Sequence, residues 1–181
     1  MKVIKWIFVV FGTALVGFLG YYFIAVSGQV LDVTWNKVSV EEMEEIGGLN
    51  EYELKRIGLN TEQVRDILAH PETYRYVLYS MSLNNHSTMT AVANLEVEAQ
   101  MPKEVQKRLI WIDDEFTSLP YLGPSEERPD GLYAIYKFEN GDTERELLDM
   151  AKKTHFTVTG QKVGRLFNHG TFFIHVTYSG N

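Results

Sequence analysis

The sequence predicts an α+β protein in which an N-terminal transmembrane helix precedes one extracytoplasmic domain, with a mainly antiparallel sheet and helices packed on one face. Three observations carry this prediction. Residues 6–26 contain no charged side chain. Apolar residues then occupy every second position from Met89 to Met101, the period of a strand with one buried face. Helix-capping residues precede several short segments between the predicted strands.

The uncharged run has the length of a membrane span. Its roughly 21 residues would extend about 31 Å at about 1.5 Å per helical residue, close to the thickness of a bilayer's hydrocarbon core. Lys2 and Lys5 precede it, whereas the first charge after it is Asp32. Positive charge stays on the cytoplasmic side, so a cytoplasmic stub 1–5 is expected. The predicted division is a membrane anchor over 1–27 and an extracytoplasmic domain over 28–181.

Two interpretations of this run remain open. A retained helix would make a single-pass protein of the cell membrane. Ala25-Val26-Ser27 has the small-x-small pattern of a signal-peptidase site, and cleavage near Ser27 would release a secreted protein, although the apolar region of a signal peptide is usually only about 7–15 residues. Thr13 and Gly17 stand four residues apart and could form a small face against a helix of a larger membrane complex.

Charge and cysteine content exclude several classes of function. The chain has a formal charge of −7, and removing the two lysines before the apolar run leaves −9 for the remainder. An acidic domain is repelled by nucleic acid, so no nucleic-acid partner is expected. The chain has no cysteine, which excludes disulfides, thiolate metal sites and a cysteine nucleophile.

Four short helices are predicted from capping residues. Ser39 with Glu42 and Thr143 with Glu146 have the spacing of a capping box, and Asn50 and Asn60 are favourable N-caps. The predicted helices run over 39–46, 50–57 and 60–69, with a fourth that begins at Thr143.

The predicted strands include a long hairpin. The alternating segment 89–101 follows the β-prone segment 74–83, and residues 84–87 supply turn chemistry between them, which predicts an antiparallel pair. Further strands are predicted at 30–35, 132–138, 156–159 and 171–178, and the strand that Gly160 interrupts resumes over 163–167. Residues 30–101 and 132–178 then share the order strand, helix, strand, strand. Two similar halves are therefore one arrangement that the sequence allows, without residue-level similarity to support it.

An irregular segment over 113–130 is the main candidate for contact with a partner. It shows no periodicity and carries three prolines and one glycine, and long irregular segments in compact domains are often functional. Its two aromatic residues are Phe116 and Tyr121. We expect Phe116 to pack in the core and Tyr121 to contact a protein partner.

Histidine is the remaining source of chemistry. No two of the five histidines have the spacing of metal ligands on a helix, and no hydrolase or phosphate-binding motif is present, so no metal or cofactor is expected. His175 lies on the strand face opposite Ile174 and Val176. A catalytic role for it would require a carboxylate such as Asp113 or Glu115 within hydrogen-bonding distance.

These observations leave three hypotheses for the function. The leading one is a membrane-anchored, non-catalytic module that binds a protein, peptide or envelope component. The alternatives are a small exported hydrolase that uses His175 with a carboxylate, and an accessory subunit of a larger membrane complex. The oligomeric state is left open.

Overall fold

The structure is a computed structural model that describes residues 2–43, 50–114, 116, 121–139, 141–164 and 168–178. Side chains are described for these residues except 2–5, 8, 21–27, 168 and 169. The described strands are β1 (Leu31–Glu42), β2 (Tyr74–Asn85), β3 (Thr90–Gln100), β4 (Leu109–Ile112), β5 (Tyr121–Leu122), β6 (Glu127–Lys137), β7 (His155–Gly164) and β8 (Asn168–Val176). The described helices are α1 (Lys2–Ser27), α2 (Glu51–Arg56), α3 (Thr61–Ala69), α4 (Lys103–Gln106) and α5 (Glu144–Ala151).

The strands form two antiparallel sheets that pack face to face. Sheet A has the order β1-β2-β6-β4, and sheet B has the order β5-β3-β7-β8. The main core lies between them, where Trp35 and Tyr79 of sheet A meet Phe156 of sheet B edge-on, with ring centroids 5.4 and 5.1 Å from that of Phe156. The mixed α+β composition with antiparallel strands is as predicted. It is divided between two sheets because each sheet has one apolar face that the other covers.

The predicted hairpin of 74–83 with 89–101 is wrong. Both strands exist, but β2 pairs with β1 and β6 in sheet A, whereas β3 pairs with β5 and β7 in sheet B. The chain crosses between the sheets after Asn85, whose buried side-chain amide donates to the carbonyl oxygens of Thr90 and Gly123 at 2.9 and 2.8 Å. Alternation showed that one face of each strand is buried, but it carries no information about the neighbouring strand.

The capping box at Ser39 does not begin a helix. β1 continues to Glu42, with Ser39 opposite Leu78 in the ladder with β2, and residues 44–46 of the predicted helix lie outside the described residues. Val38 is buried and Val40 packs on the main core, so pairing and burial outweigh the local capping preference.

The other capping residues act as predicted. The Asn50 side chain accepts from the backbone N–H of Glu53 at the start of α2. The capping boxes of Asn60 with Gln63 and Thr143 with Glu146 begin α3 and α5. Each helix start depends on residues within four positions of one another, and this local dependence makes it readable from sequence.

α2 and α3 cover the outer face of sheet A, where they form a second, smaller core. Leu54 of α2 and Ile67 of α3 are buried there against Tyr74 and Ile135 of the sheet. α5 instead contributes Leu147 to the main core. The two predicted halves have the same order of elements but different pairing, because β1 and β2 are neighbours in sheet A while β6 and β7 lie in different sheets.

The N-terminal helix is joined to the sandwich by a short connection. α1 spans 26 residues, and its described side chains, at residues 6, 7 and 9–20, are exposed. Among the residues that the structure describes, no helix combines the length and apolar character that a membrane crossing needs. Gly28 follows α1, and its carbonyl oxygen accepts from Lys162 Nζ at 2.7 Å, two residues before the buried Val30.

Candidate functional site

The two aromatic residues of the segment 113–130 lie in different environments. Phe116 is 4% exposed and packs in the main core, so it offers no surface to a partner. Tyr121 is 50% exposed, while the next residue, Leu122, is fully buried. The short strand β5 is therefore held by Leu122 and presents Tyr121 to solvent.

The segment is also more regular than predicted. Glu127–Asp130 belongs to β6 and pairs with β2, so the irregular part is shorter than 113–130. Residues 115 and 117–120 lie outside the described residues. β5 pairs with β3 at Val92 and Ala93, which places Tyr121 on the edge of sheet B.

His175 does not lie beside Asp113, one of the two carboxylates that the sequence offered as its catalytic partner. It is exposed on the outer face of sheet B, where its Nδ1 lies 3.2 Å from the Thr157 hydroxyl oxygen. Asp113 follows β4, at the edge of sheet A opposite β1, and its carboxylate accepts from the backbone N–H of Tyr133. The end of β8 instead adjoins β1 through a bridge between Trp35 and Tyr178. Glu115, the other predicted partner, lies outside the described residues.

The largest of the described clefts lies beside α3 and has a volume of about 640 Å³. In it the Tyr74 hydroxyl donates a short hydrogen bond to the Asp66 carboxylate. Burial, together with this hydrogen bond, raises the pKa of Tyr74 to about 12. The phenol therefore keeps its proton, and the contact joins α3 to β2 as a structural link.

A smaller cleft of about 350 Å³ surrounds Arg108. The guanidinium of Arg108 pairs with Asp142 at 2.5 Å, and Asp142 also accepts from the backbone N–H of Glu139. These charges are satisfied within the chain, and they fasten the loop before α5 to the start of β4.

A third cleft, here called the β3–β4 crevice, has a volume of about 420 Å³ between the edges of the two sheets. Its apolar floor consists of Ala99, Met101, Leu109 and Ile112, all partly buried against the main core. Its rim carries the carboxylates of Glu98, Asp113 and Asp114. In the described part of the chain, no salt bridge involves Glu98 or Asp114.

The backbone of β3 along the crevice is an open strand edge. Val97 donates its N–H to the carbonyl oxygen of Asp114 at 2.8 Å on this side. Backbone groups of successive residues in an antiparallel strand point to opposite sides, so Ala99 directs its N–H and C=O to the same side as Val97. Within the described ranges, β5 covers this edge only at Val92 and Ala93.

Sequence reasoning found part of this site. It identified the alternating exposure of 89–101 and named Asp113, but only as a possible partner of His175. The meeting of the β3 and β4 edges depends on the two-sheet topology, which no local pattern contains. Over the described residues, no group of three or more His, Asp or Glu side chains is arranged to hold a metal ion.

Comparisons with known proteins give only remote likenesses. No family model and no curated protein matches this chain. One similar solved structure is a FixG-related protein from Vibrio parahaemolyticus, at 8% identity over 84% of this chain and 99% of that chain, with a TM-score of 0.29. Another is the cupredoxin domain of amoB from Nitrosocaldus yellowstonii, at 10% identity over 83% of this chain and 88% of that chain, with a TM-score of 0.30. At these TM-scores neither likeness carries an argument about function.

Proposed function

We propose that this chain is a membrane-anchored, non-catalytic module whose extracytoplasmic domain binds a protein, peptide or envelope component. The observation that carries the binding proposal is the β3–β4 crevice, where an apolar floor, the exposed carboxylates of Glu98 and Asp114 and a strand edge that β5 covers only in part occur together. Such a combination of concave apolar surface with a few polar groups is typical of binding sites.

The anchor proposal rests on the sequence, because no helix among the described residues meets the length and apolar character of a membrane crossing. Residues 6–26 carry no charge, and the helical backbone runs from Lys2 to Ser27. Large apolar side chains such as Phe11, at 76% exposed, and Val16, at 70%, would be costly to leave in water. In this proposal the N-terminus is cytoplasmic and the chain crosses the cell membrane once.

The position of Tyr121 near the same edge of β3 also supports the binding proposal. It lies on the strand that covers one part of the β3 edge, and the β3–β4 crevice occupies the part beyond Val97. A half-exposed tyrosine beside a concave site is a frequent anchor for a partner, because its ring buries a large area at low entropic cost. The hydrolase alternative has no comparable support, since His175 lies on the outer face of sheet B whereas Asp113 lies at the β4 edge of sheet A.

The binding proposal can be tested by co-purification from detergent-solubilised membranes. We expect Tyr121→Ala to reduce recovery of a partner while the melting temperature changes little. Tyr52→Ala is the matched control, because Tyr52 is 71% exposed on α2, on the covered face of sheet A. Loss of stability in Tyr121→Ala without a selective loss of recovery would contradict the proposal, as would equal losses in both variants.

A further inference from the structure

We infer that the β3–β4 crevice binds a short extended peptide segment of basic character, with a lysine or arginine side chain inserted between the two strands. This inference rests on the proposed binding function and names the chemistry of its partner. It is carried by three features of the crevice: its apolar floor, the carboxylates on its rim and the edge of β3 at Ala99, which β5 does not cover within the described ranges.

The floor suits the aliphatic part of a long basic side chain. Met101, Leu109 and Ile112 are partly buried against the main core and present their remaining apolar surface to the crevice. Lysine and arginine pack their methylene groups on apolar surface while the charged end stays near water. A fully apolar side chain could use the floor but would form no ion pair with Glu98 or Asp114.

The carboxylates on the rim favour a positively charged occupant. Glu98 and Asp114 are exposed and Asp113 is half-buried, and all three line the mouth of the crevice. Asp113 accepts a hydrogen bond from Tyr133, so Glu98 and Asp114 are the carboxylates best placed to pair with an incoming cation. The acidic balance of the chain, with a formal charge of −7, also favours the approach of a basic segment and repels an acidic one.

The open edge accounts for the extended conformation. The chain already forms backbone hydrogen bonds on this side of β3 at two places, with β5 at Val92 and Ala93 and with the Asp114 carbonyl oxygen at Val97. Ala99 directs its N–H and C=O to the same side and can continue that pairing with an added strand. Addition of a strand to a sheet edge supplies backbone hydrogen bonds, while an adjacent pocket for alternate side chains supplies specificity.

α4 limits the length of the added segment. Gln106 at its end lines the crevice, and the Val97–Asp114 hydrogen bond closes the opposite end. The space is therefore sufficient for a few residues only, and insertion of one basic side chain is the main determinant of binding. We expect binding that is weak for a short peptide and sensitive to ionic strength, since the carboxylates lie near solvent.

The test is a titration of the full chain, labelled with ¹⁵N in detergent micelles, with the peptide acetyl-Val-Lys-Val-Arg-Val-amide. We expect saturable amide shifts centred on Ala99 and on residues 109–114, and weaker binding at higher salt. A peptide with glutamate at both basic positions should not bind. A backbone N-methylated basic peptide should bind more weakly, because it cannot form the strand hydrogen bonds.

Charge variants of the protein complete the test. Glu98→Gln combined with Asp114→Asn should weaken binding by about fivefold, as expected for the loss of exposed ion pairs. Glu96→Gln is the matched control, because Glu96 is exposed on the same face of β3 but does not line the crevice. The affinity of Glu96→Gln for the basic peptide should stay within about twofold of that of the parent protein, a smaller change than the loss of one exposed ion pair would cause.

The outcomes separate this inference from the wider proposal. Equal binding of the acidic peptide, shifts centred on the outer face of sheet B, or an unchanged affinity in the double variant would overturn the inference. Absence of peptide binding alongside Tyr121-dependent partner recovery would overturn the inference and leave the binding function standing. Peptide binding at the crevice without any effect of Tyr121→Ala on partner recovery would support the inference and remove Tyr121 from the proposed function.

Discussion

At the residue scale, β3 shows how one position departs from a regular pattern. Asn94 adopts a φ of 51°, and the register of β3 with β7 shifts between Ala93 and Glu96. This bulge changes the phase of the strand, so that Val92 and Leu95 both reach the main core. The predicted alternation holds from Leu95 to Gln100. It fails before the bulge, where Val92 is fully buried and Met89 is exposed.

The bulge leads to a stability prediction. Leu95→Asp should unfold the domain, because Leu95 is 4% exposed in the main core and an unpaired buried carboxylate costs several kcal/mol. Asn94→Asp should change the free energy of unfolding by less than about 0.5 kcal/mol, since residue 94 is exposed and Asp tolerates a positive φ. Chemical denaturation of both variants provides the measurement. Similar losses of stability would show that residues 94 and 95 do not differ in burial.

Gly160 is a second position at which a single residue determines the local packing. The sequence suggested that Gly160 interrupts a strand, but β7 is continuous from His155 to Gly164. A Cβ at this position would lie 2.7 Å from Phe172 Cζ and 2.9 Å from Leu95 Cδ2. The glycine therefore provides space for two side chains of neighbouring strands, a requirement that only the packed structure reveals.

At the element scale, helix starts were predictable and strand partners were not. The caps of α2, α3 and α5 act over three or four residues, so the sequence contains all the information that they need. The helix expected at 39–46 failed because the local signal competed with β2, a 12-residue strand that lies more than thirty positions away in the chain. Contacts of that kind depend on which strands meet after folding.

The link between α3 and β2 gives a prediction for alkaline pH. The pKa of Tyr74 is raised from 10.0 to about 12 by burial and by its hydrogen bond to Asp66, so the folded state favours the neutral phenol. A raised folded-state pKa adds stability that is fully present below pH 10 and is lost as the pH rises through about 12. As the pH rises from 10 to about 12, the free energy of unfolding should therefore fall less for Tyr74→Phe than for the parent protein.

The same variant has an expected effect at neutral pH. Loss of a hydrogen bond to a carboxylate should lower the free energy of unfolding by about 1.5–3 kcal/mol. Urea denaturation at pH 7 and at several values above 10 would measure both effects, with Tyr52→Phe as the control because its ring is exposed. An identical pH dependence for the parent and Tyr74→Phe would show that this tyrosine does not contribute to alkaline destabilisation.

At the scale of the whole molecule, the proposed membrane arrangement depends on how closely α1 is joined to the sandwich. Only Gly28 and Gln29 lie between the end of α1 and the buried Val30. A two-residue connection spans at most about 7 Å, so in the proposed membrane arrangement the adjacent end of the sandwich lies close to the bilayer surface. The side-chain amine of Lys162 binds the Gly28 carbonyl oxygen and restrains this connection.

The membrane proposal predicts the outcome of cell fractionation. The uncleaved chain should remain in the membrane fraction after carbonate or high-salt extraction, because a spanning helix is removed only by detergent. Protease added from outside should remove the residues beyond about Gly28. A mature protein found free in the medium, with Gly28 at its N-terminus, would instead support cleavage after Ser27.

The sequence by itself determined features that depend on composition and on neighbouring residues. These include the uncharged run of 6–26, the acidic charge, the absence of cysteine, the caps of three helices and the strand character of most β segments. Hydropathy, charge and capping act over a few residues, and each can therefore be read directly from the chain.

Only the tertiary structure decided which strands became neighbours. It separated β2 from β3, buried Phe116 while exposing Tyr121, and placed His175 and Asp113 at different edges of the sandwich. It also brought the edges of β3 and β4 together around the crevice. An amphipathic strand specifies a buried face but not its partner, because several pairings satisfy the same alternation and the packing of the complete core selects among them.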